Sequence, residues 1–206
     1  SKNRFNLTPK KANMVTIDET LKACGESAFT FPASFCLDQG MYGGLVLAVA
    51  LYRIGREADH PVRSVHINFS ALARPHIETR FELNRMRKGS KTESFSYAFF
   101  QADTCVAHGS AFTGRTRKTL SDECFIEMPD VPQSTEVPKI PAQMPLPAYT
   151  SHFALQPCIG DTILSGSIPK TGGYISFAGE APETLSIPHL GALIDAWWPS
   201  FFVKAQ

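Results

Sequence analysis

The segment GGLVLAVALYRIG, residues 43–55, is apolar around nearly the whole circumference of a helix. A helix of that kind has to be covered on most of its sides, because only a narrow stripe is left for solvent. Gly43 and Gly44 stand at its start, where a side chain would obstruct the entering chain, and Gly55 lies near its end.

The cover follows at once. VRSVHINFSAL (62–72) alternates, with Val65, Ile67, Phe69 and Ala71 on one face and Ser64, His66, Asn68 and Ser70 on the other. IETRFELNRMR (77–87) sets Ile77, Phe81 and Leu83 against Glu78, Arg80 and Glu82. TESFSYAFFQAD (92–103) carries Phe95, Tyr97 and Phe99 on one face, and CVAHGSAFTGRTR (105–117) completes the set. Pro75, Lys88-Gly89-Ser90 and Asp103-Thr104 punctuate the strands. Such short connections predict an antiparallel meander of four strands curved around the helix.

Ahead of this unit, residues 1–14 read as a loose arm. Ile17 to Cys24 reads as a short helix with Thr16 or Asp18 as its cap. FTFPASFC (29–36) reads as an extended run whose Pro32 suits a sheet edge. Beyond residue 117 the texture changes. Pro129, Pro132, Pro138, Pro141, Pro145 and Pro147 predict an extended, structured or semi-rigid linker over 118–149. Strands are then expected in SHFALQPCIG (151–160) and at the start of GGYISFAGEAPE (172–183). A second apolar helix is expected in IPHLGALIDAWWPSFF (187–202), with Pro188 in its first turn and Pro199 near its end. The chain divides accordingly into a first unit, 1–117, a linker, 118–149, and a second unit, 150–206, in which the order of extended elements, Gly-Gly and apolar helix recurs. No sheet follows the second helix, so the expectation is a second unit that is incomplete, with a truncated or partly ordered C-terminus after Gln206.

Composition narrows the function. Of 206 residues, 43% are hydrophobic and 19% charged, as in a folded globular chain, and the net charge is +1. That balance gives no field for nucleic acid or an anionic membrane. The run Arg85, Arg87, Lys88, Lys91 is short and is followed by Glu93, so it reads either as a solvated hairpin end or as an anion contact. No run approaches the roughly 18 apolar residues of a membrane span. Cys24, Cys36, Cys105, Cys124 and Cys158 form no metal-ligand spacing and suit reduced thiols in a cytoplasmic setting. No metal, nicotinamide or flavin signal is present, and no cofactor is expected.

The sequence resembles the acyl-CoA thioesterase II (TesB-like) family in QGMYGGLVLAVAL (39–51), VRSVHINFSALARP (62–75), ELNRMRKGSKTESFSYAFFQADTCVAHGSAFT (82–113) and HLGALIDAWWP (189–199). The resemblance implies an α+β hotdog fold, an antiparallel sheet wrapped around a central helix, doubled in one chain with the second unit incomplete. It implies hydrolysis of an acyl-CoA thioester to free acid and CoA, with an aspartate, a threonine and a glutamine holding the attacking water. The aspartate maps to Asp195; the other two belong to strands after the second helix and find no counterpart here. The alternative is a non-catalytic hotdog protein that binds acyl groups or acyl-CoA. Unpaired sheet edges make a homo-oligomer the expected assembly.

Each candidate has a structural reading beside the functional one. Asp195, among Leu193, Ile194, Ala196 and Trp197, is either a base whose burial raises its pKa or a solvent-facing helix residue. Gly43 and Gly44 offer amides to a substrate oxygen, or allow tight packing on the sheet. His66 is a base or a structural hydrogen-bonding histidine. Arg74 meets a CoA phosphate or pairs with Glu78. Trp197 and Trp198 line an acyl tunnel, fill the core or form a subunit contact.

Overall fold

The computed structural model describes residues 15–118, 121, 123, 125–141, 146–179 and 182–204. The segment expected as a loose arm, 1–14, lies outside them. The chain runs α1 (Ile17–Ala23), β1 (Ala28–Thr30), β2 (Cys36–Leu37), β3 (Gly40–Met41), α2 (Gly43–Glu57), β4 (Val62–Phe69), β5 (Glu78–Lys88), β6 (Thr92–Gln101), β7 (Thr104–Gly114), β8 (Phe153–Gly160), β9 (Thr171–Phe177) and α3 (Ile187–Ile194). α1 begins with a capping box in which Thr16 and Glu19 each satisfy the other's backbone amide.

The principal sheet has the order β1-β5-β6-β7-β4, with antiparallel neighbours throughout. This corrects the expected meander: β5, β6 and β7 are consecutive hairpins, but β4 pairs with β7 rather than β5. The reason lies in residues 70–77, which cross one end of the sheet and bond to its strands in turn. The amides of Ser70 and Ala71 donate to Val106 O on β7 at 2.9 and 3.2 Å. Arg74 N–H donates to Gln101 Oε1 on β6 at 2.9 Å, and Gln101 Nε2 donates back to Arg74 O at 2.8 Å. His76 N–H donates to Phe31 O, just past β1, at 3.1 Å. A connection stitched this way delivers β5 to the far side of β6, where β1 covers its first residues.

α2 is wrapped from two directions. The inner face of the sheet supplies Phe81, Phe95, Tyr97, Phe99, Ala107 and Ala111, all buried. α3 lies on the opposite side, close enough that a β-carbon on Gly191 would stand 2.6 Å from Leu51 Cδ1 and 3.4 Å from Ala48 Cα. The second apolar helix, which no sheet follows in the sequence, is therefore buried against the first, and Ala192, Leu193, Phe153 and Phe177 belong to the same core as α2. Burial of side chains such as Leu45, Val46, Val49 and Ile54 contributes on the order of 1.5–3 kcal/mol each.

α3 is shorter than its apolar run suggests. It ends at Ile194, with Asp195 as its C-cap at φ −99° and ψ 0°. Trp197 and Trp198 lie beyond the helix and stack on each other at 4.6 Å. The proline-rich segment, expected as a linker, docks on β8 and β9. Gln156 Nε2 donates to the carbonyls of Ser134 and Val137, each at 2.6 Å, and Ile140 N–H donates to Leu155 O at 2.9 Å. Tyr174 hydroxyl donates to Pro132 O at 2.9 Å.

Candidate functional site

The first turn of α2 and the last turn of α3 meet. Tyr42, the N-cap of α2, is buried and donates its hydroxyl to Ala192 O at 2.6 Å. That bond sets the end of α3 against the start of α2 and carries Asp195 to the helix N-terminus. A β-carbon on Gly43 would lie 2.9 Å from Asp195 Oδ2 and 3.1 Å from Phe69 Cζ. A β-carbon on Gly44 would fall 2.4 Å from Tyr42 Oη. Both glycines thus have close neighbours, Gly43 the end of a carboxylate side chain and Gly44 a buried ring.

The electrostatics pull in opposite directions. Burial raises the Asp195 pKa above the ordinary carboxylate range, and a hydrogen bond from Gly44 N–H opposes that rise. The amide end of α2 carries positive partial charge, which favours an anion there. The last turn of α3 has the opposite sign and disfavours the same carboxylate. Tyr149 stacks face to face on Tyr42, at 4.3 Å between centroids and 5° between planes. Burial and then the charge of Asp195 hold the Tyr42 phenol well above its usual range. The same two causes raise the pKa of Tyr149. Phe69, 56% exposed at the end of β4, closes the other side of Gly43. A carboxylate, helix amides and an aromatic wall are brought together, a set able to accept a proton from water next to donors for an oxygen.

Of the residues singled out in the sequence, Gly43, Gly44 and Asp195 converge. His66 does not join them. It is exposed on β4 opposite Ser110, while its neighbours Val65 and Ile67 pack inward, and its carbonyl accepts from Tyr97 hydroxyl at 2.9 Å. Arg74 is exposed in the crossover, held through its backbone by Gln101. Trp197 donates from Nε1 to Thr171 Oγ1 at 3.2 Å and lies over Gly173, whose β-carbon would meet the ring at 2.8 Å. Trp198 is buried, and its Nε1 has no hydrogen-bond partner among the described residues. Tyr42, Tyr149 and Phe69 were missed as site residues. Tyr42 could have been found from its position immediately before Gly-Gly. Tyr149 closes a proline-rich stretch that gives no such cue. Among the described residues no group of three or more His, Cys, Asp or Glu side chains stands close enough to hold a metal ion, and no helix is long and apolar enough to cross a membrane.

Comparison with known proteins bears on the fold and on residues 31–114. Residues 31–114 match the acyl-CoA thioesterase N-terminal domain family. The fold is the hotdog fold. A conserved protein of unknown function with that fold from Alicyclobacillus acidocaldarius superposes with a TM-score of 0.75 at 21% identity, over 90% of this chain and 72% of the other. A putative thioesterase II from Thermobifida fusca gives 0.75 at 16% identity, over 93% and 75%. An acyl-CoA thioesterase II from Mycobacterium marinum gives 0.59 at 15% identity, over 85% and 66%. A search of curated proteins finds no significant match. The chain is thus a hotdog-fold protein with α2 as its central helix, and its residues 31–114 are similar to the acyl-CoA thioesterase N-terminal domain.

Proposed function

We propose that the protein hydrolyses an acyl-CoA thioester to the free acid and CoA, using a water held by Asp195. The observation that supports this reading is the placement of the Asp195 carboxylate against Gly43 and Gly44, within a chain whose residues 31–114 match the acyl-CoA thioesterase N-terminal domain. In this reading β8, β9 and α3 are the counterpart of the first helix and its strands, so that the site lies where two hotdog units meet.

The chemistry runs as follows. Asp195 accepts a proton as water oxygen bonds to the thioester carbonyl carbon. The carbonyl oxygen gains negative charge and turns toward the Gly43 amide at the start of α2, since Gly44 N–H bonds to Asp195 and the Leu45 and Val46 amides donate to Tyr42 O. The carbon–sulfur bond then breaks, and the proton on Asp195 passes to the leaving thiolate. Atoms balance as one thioester and one water giving one acid and one thiol. Tyr42 acts indirectly: it holds Ala192 and hence the end of α3. The acyl chain would lie along the aromatic wall of Phe69 and Tyr149. His66 and Arg74 lie outside this arrangement; Arg74, exposed at the sheet end, remains available to the phosphates of CoA.

The test is thiol release from short-, medium- and long-chain acyl-CoA by the wild-type protein and by Asp195→Asn. The expected result is turnover by the wild type and a loss of at least about a hundredfold in the variant, with the fold retained. Equal release by both proteins would overturn the role of Asp195. Acyl-CoA binding with no release by the wild type would favour a non-catalytic acyl-binding protein instead.

A further inference from the structure

The opposite end of α2 takes no part in this reaction, and neither does the basic β5–β6 hairpin. Arg53 is ten residues on from Gly43, about 15 Å along the helix axis. There a cavity of about 430 Å³ is lined by Arg53, Glu57, Phe81, Leu83, Arg85 and Phe95. Two guanidiniums lie over two phenyl rings: Arg53 over Phe81 at 5.1 Å and Arg85 over Phe95 at 5.3 Å. The guanidiniums cover the rings, Phe81 and Phe95 both being buried, so half-buried Leu83 is the apolar side chain left open beside fixed donors.

The two arginines are not equivalent. Arg85 has a carboxylate partner: its Nε lies 3.4 Å from Oε1 of Glu93, which is fully buried. Glu93 is fixed in turn through Oε2 by Asp59 N–H at 2.8 Å and Thr113 hydroxyl at 3.1 Å. Arg53 is half-buried and takes part in none of the ion pairs among the described residues. Its Nη1 donates only to neutral backbone carbonyls, those of Cys24 and Glu26. Nε and Nη2 donate to none of the described residues. Burial, and then the charge of neighbouring Arg56, disfavour its charged form, while Glu26 and Glu57 offset this in part. A guanidinium taken out of water needs an anionic partner and filled donors to recover the cost of desolvation. Here Glu26 and Glu57 act only at a distance, no carboxylate is bonded to the guanidinium, and Nε and Nη2 are unfilled where Arg53 lines the cavity.

We propose that this cavity binds a small monocarboxylate with a compact apolar body, an aryl or short aliphatic acid. Its carboxylate takes the free fork of Arg53, and its body lies on half-buried Leu83 and the open edge of Phe81. Glu57 sets the charge limit. One negative charge is balanced by Arg53, whereas a dianion such as phosphate brings a second beside the Glu57 carboxylate. The site stands independently of the proposed hydrolysis and is separated from Asp195 by most of the length of α2.

The experiment is titration of the protein with benzoate, hexanoate and, separately, inorganic phosphate, followed by calorimetry and by amide NMR shifts. The expected result is saturable binding of a carboxylate, with shifts at Arg53, Phe81 and Phe95, and phosphate at least tenfold weaker. Arg53→Met keeps the apolar stem and should weaken carboxylate binding at least tenfold, while Asp195→Asn should leave it unchanged. Should Arg53→Met not fold, Arg53→Lys keeps the charge and removes the fork, and the same weakening is expected. Absence of saturable binding would overturn the inference. So would phosphate binding as tightly as the acids, or binding that survives loss of Arg53 and fails with loss of Asp195.

Discussion

Asp195 Oδ2 occupies the space that a side chain on Gly43 would need: a β-carbon there would stand 2.9 Å from it. The relationship joins the first turn of one helix to the C-cap of another, from opposite ends of the chain. It also separates the roles of the two glycines. Gly43 is small for the sake of a carboxylate at a flexible side-chain end. Gly44 is small for the sake of Tyr42, a buried ring tied to Ala192.

Substitution tests that separation. Gly43→Ala should displace Asp195 and Phe69 while leaving the helix intact, since alanine is favoured in a helix. A fall of roughly tenfold or more in kcat/KM for acyl-CoA is expected, with little change in thermal midpoint. Gly44→Ala should act on stability instead, because Tyr42 can move only by giving up its bond to Ala192. A loss of about 1–3 kcal/mol in urea unfolding is expected. Identical stability losses in the two variants would refute the distinction.

The pH dependence of Asp195 follows from its raised pKa. The unfolded chain ionises this group near the ordinary value of 3.8, and the folded protein only at higher pH. Burial therefore leaves stability unaffected below the unfolded pKa and lowers it as pH rises through the folded one. Asp195→Asn should accordingly be more heat-stable than the wild type at pH 7, with the difference shrinking as pH falls toward 4. Thiol release should lose its acid limb at a pH above the ordinary carboxylate range. A variant less stable than the wild type at pH 7 would show that the Gly44 hydrogen bond outweighs desolvation.

The crossover offers a third test. Gln101 is buried in β6 and makes three bonds with its one amide: it accepts from Arg74 N–H, and Nε2 donates to Arg74 O and to Thr79 Oγ1 at 3.0 Å. Gln101→Glu replaces the donor by a second acceptor, facing a carbonyl and a hydroxyl whose own proton goes to Ile77 O. A loss of about 2 kcal/mol is expected, together with faster hydrogen exchange at the Arg74 amide. Unchanged exchange at Arg74 would mean that the crossover is held elsewhere.

How much of this was legible in sequence depended on whether the determinant was local. The alternation of Phe95, Tyr97 and Phe99 gave the inner face of β6 correctly because the period of a strand is a property of the strand itself. The all-round apolar character of α2 correctly implied cover on most sides. The order of strands was not legible, since it is set by Gln101 gripping a loop 27 residues away. The end of α3 was hidden for a related reason. The apolar run continues through Trp197 and Trp198, yet those rings serve Gly173 and the interior rather than a helix face. The family likeness pointed to Asp195 and to the Gly43-Gly44 helix entry separately, and not to their meeting. Its means, the bond from Tyr42 to Ala192 across 150 residues, had no signature in either segment.

The thiols provide a last prediction. Cys24 is fully buried beside α2, and burial pushes its pKa up to about 12, against a smaller opposing effect of Arg53. A thiol in that state holds almost no thiolate at pH 8, and the thiolate is the reactive form. Cys36 is buried as well, and its pKa is raised by the same cause. Cys105 and Cys158 are partly exposed. Iodoacetamide at pH 8, followed by peptide mass spectrometry, should therefore label Cys105 and Cys158 in the folded protein and leave Cys24 and Cys36 unmodified until denaturant is added. Because Cys24 O also accepts from Arg53, early labelling of Cys24 would show that this end of α2 opens in the native state, and the lining of the Arg53 cavity with it.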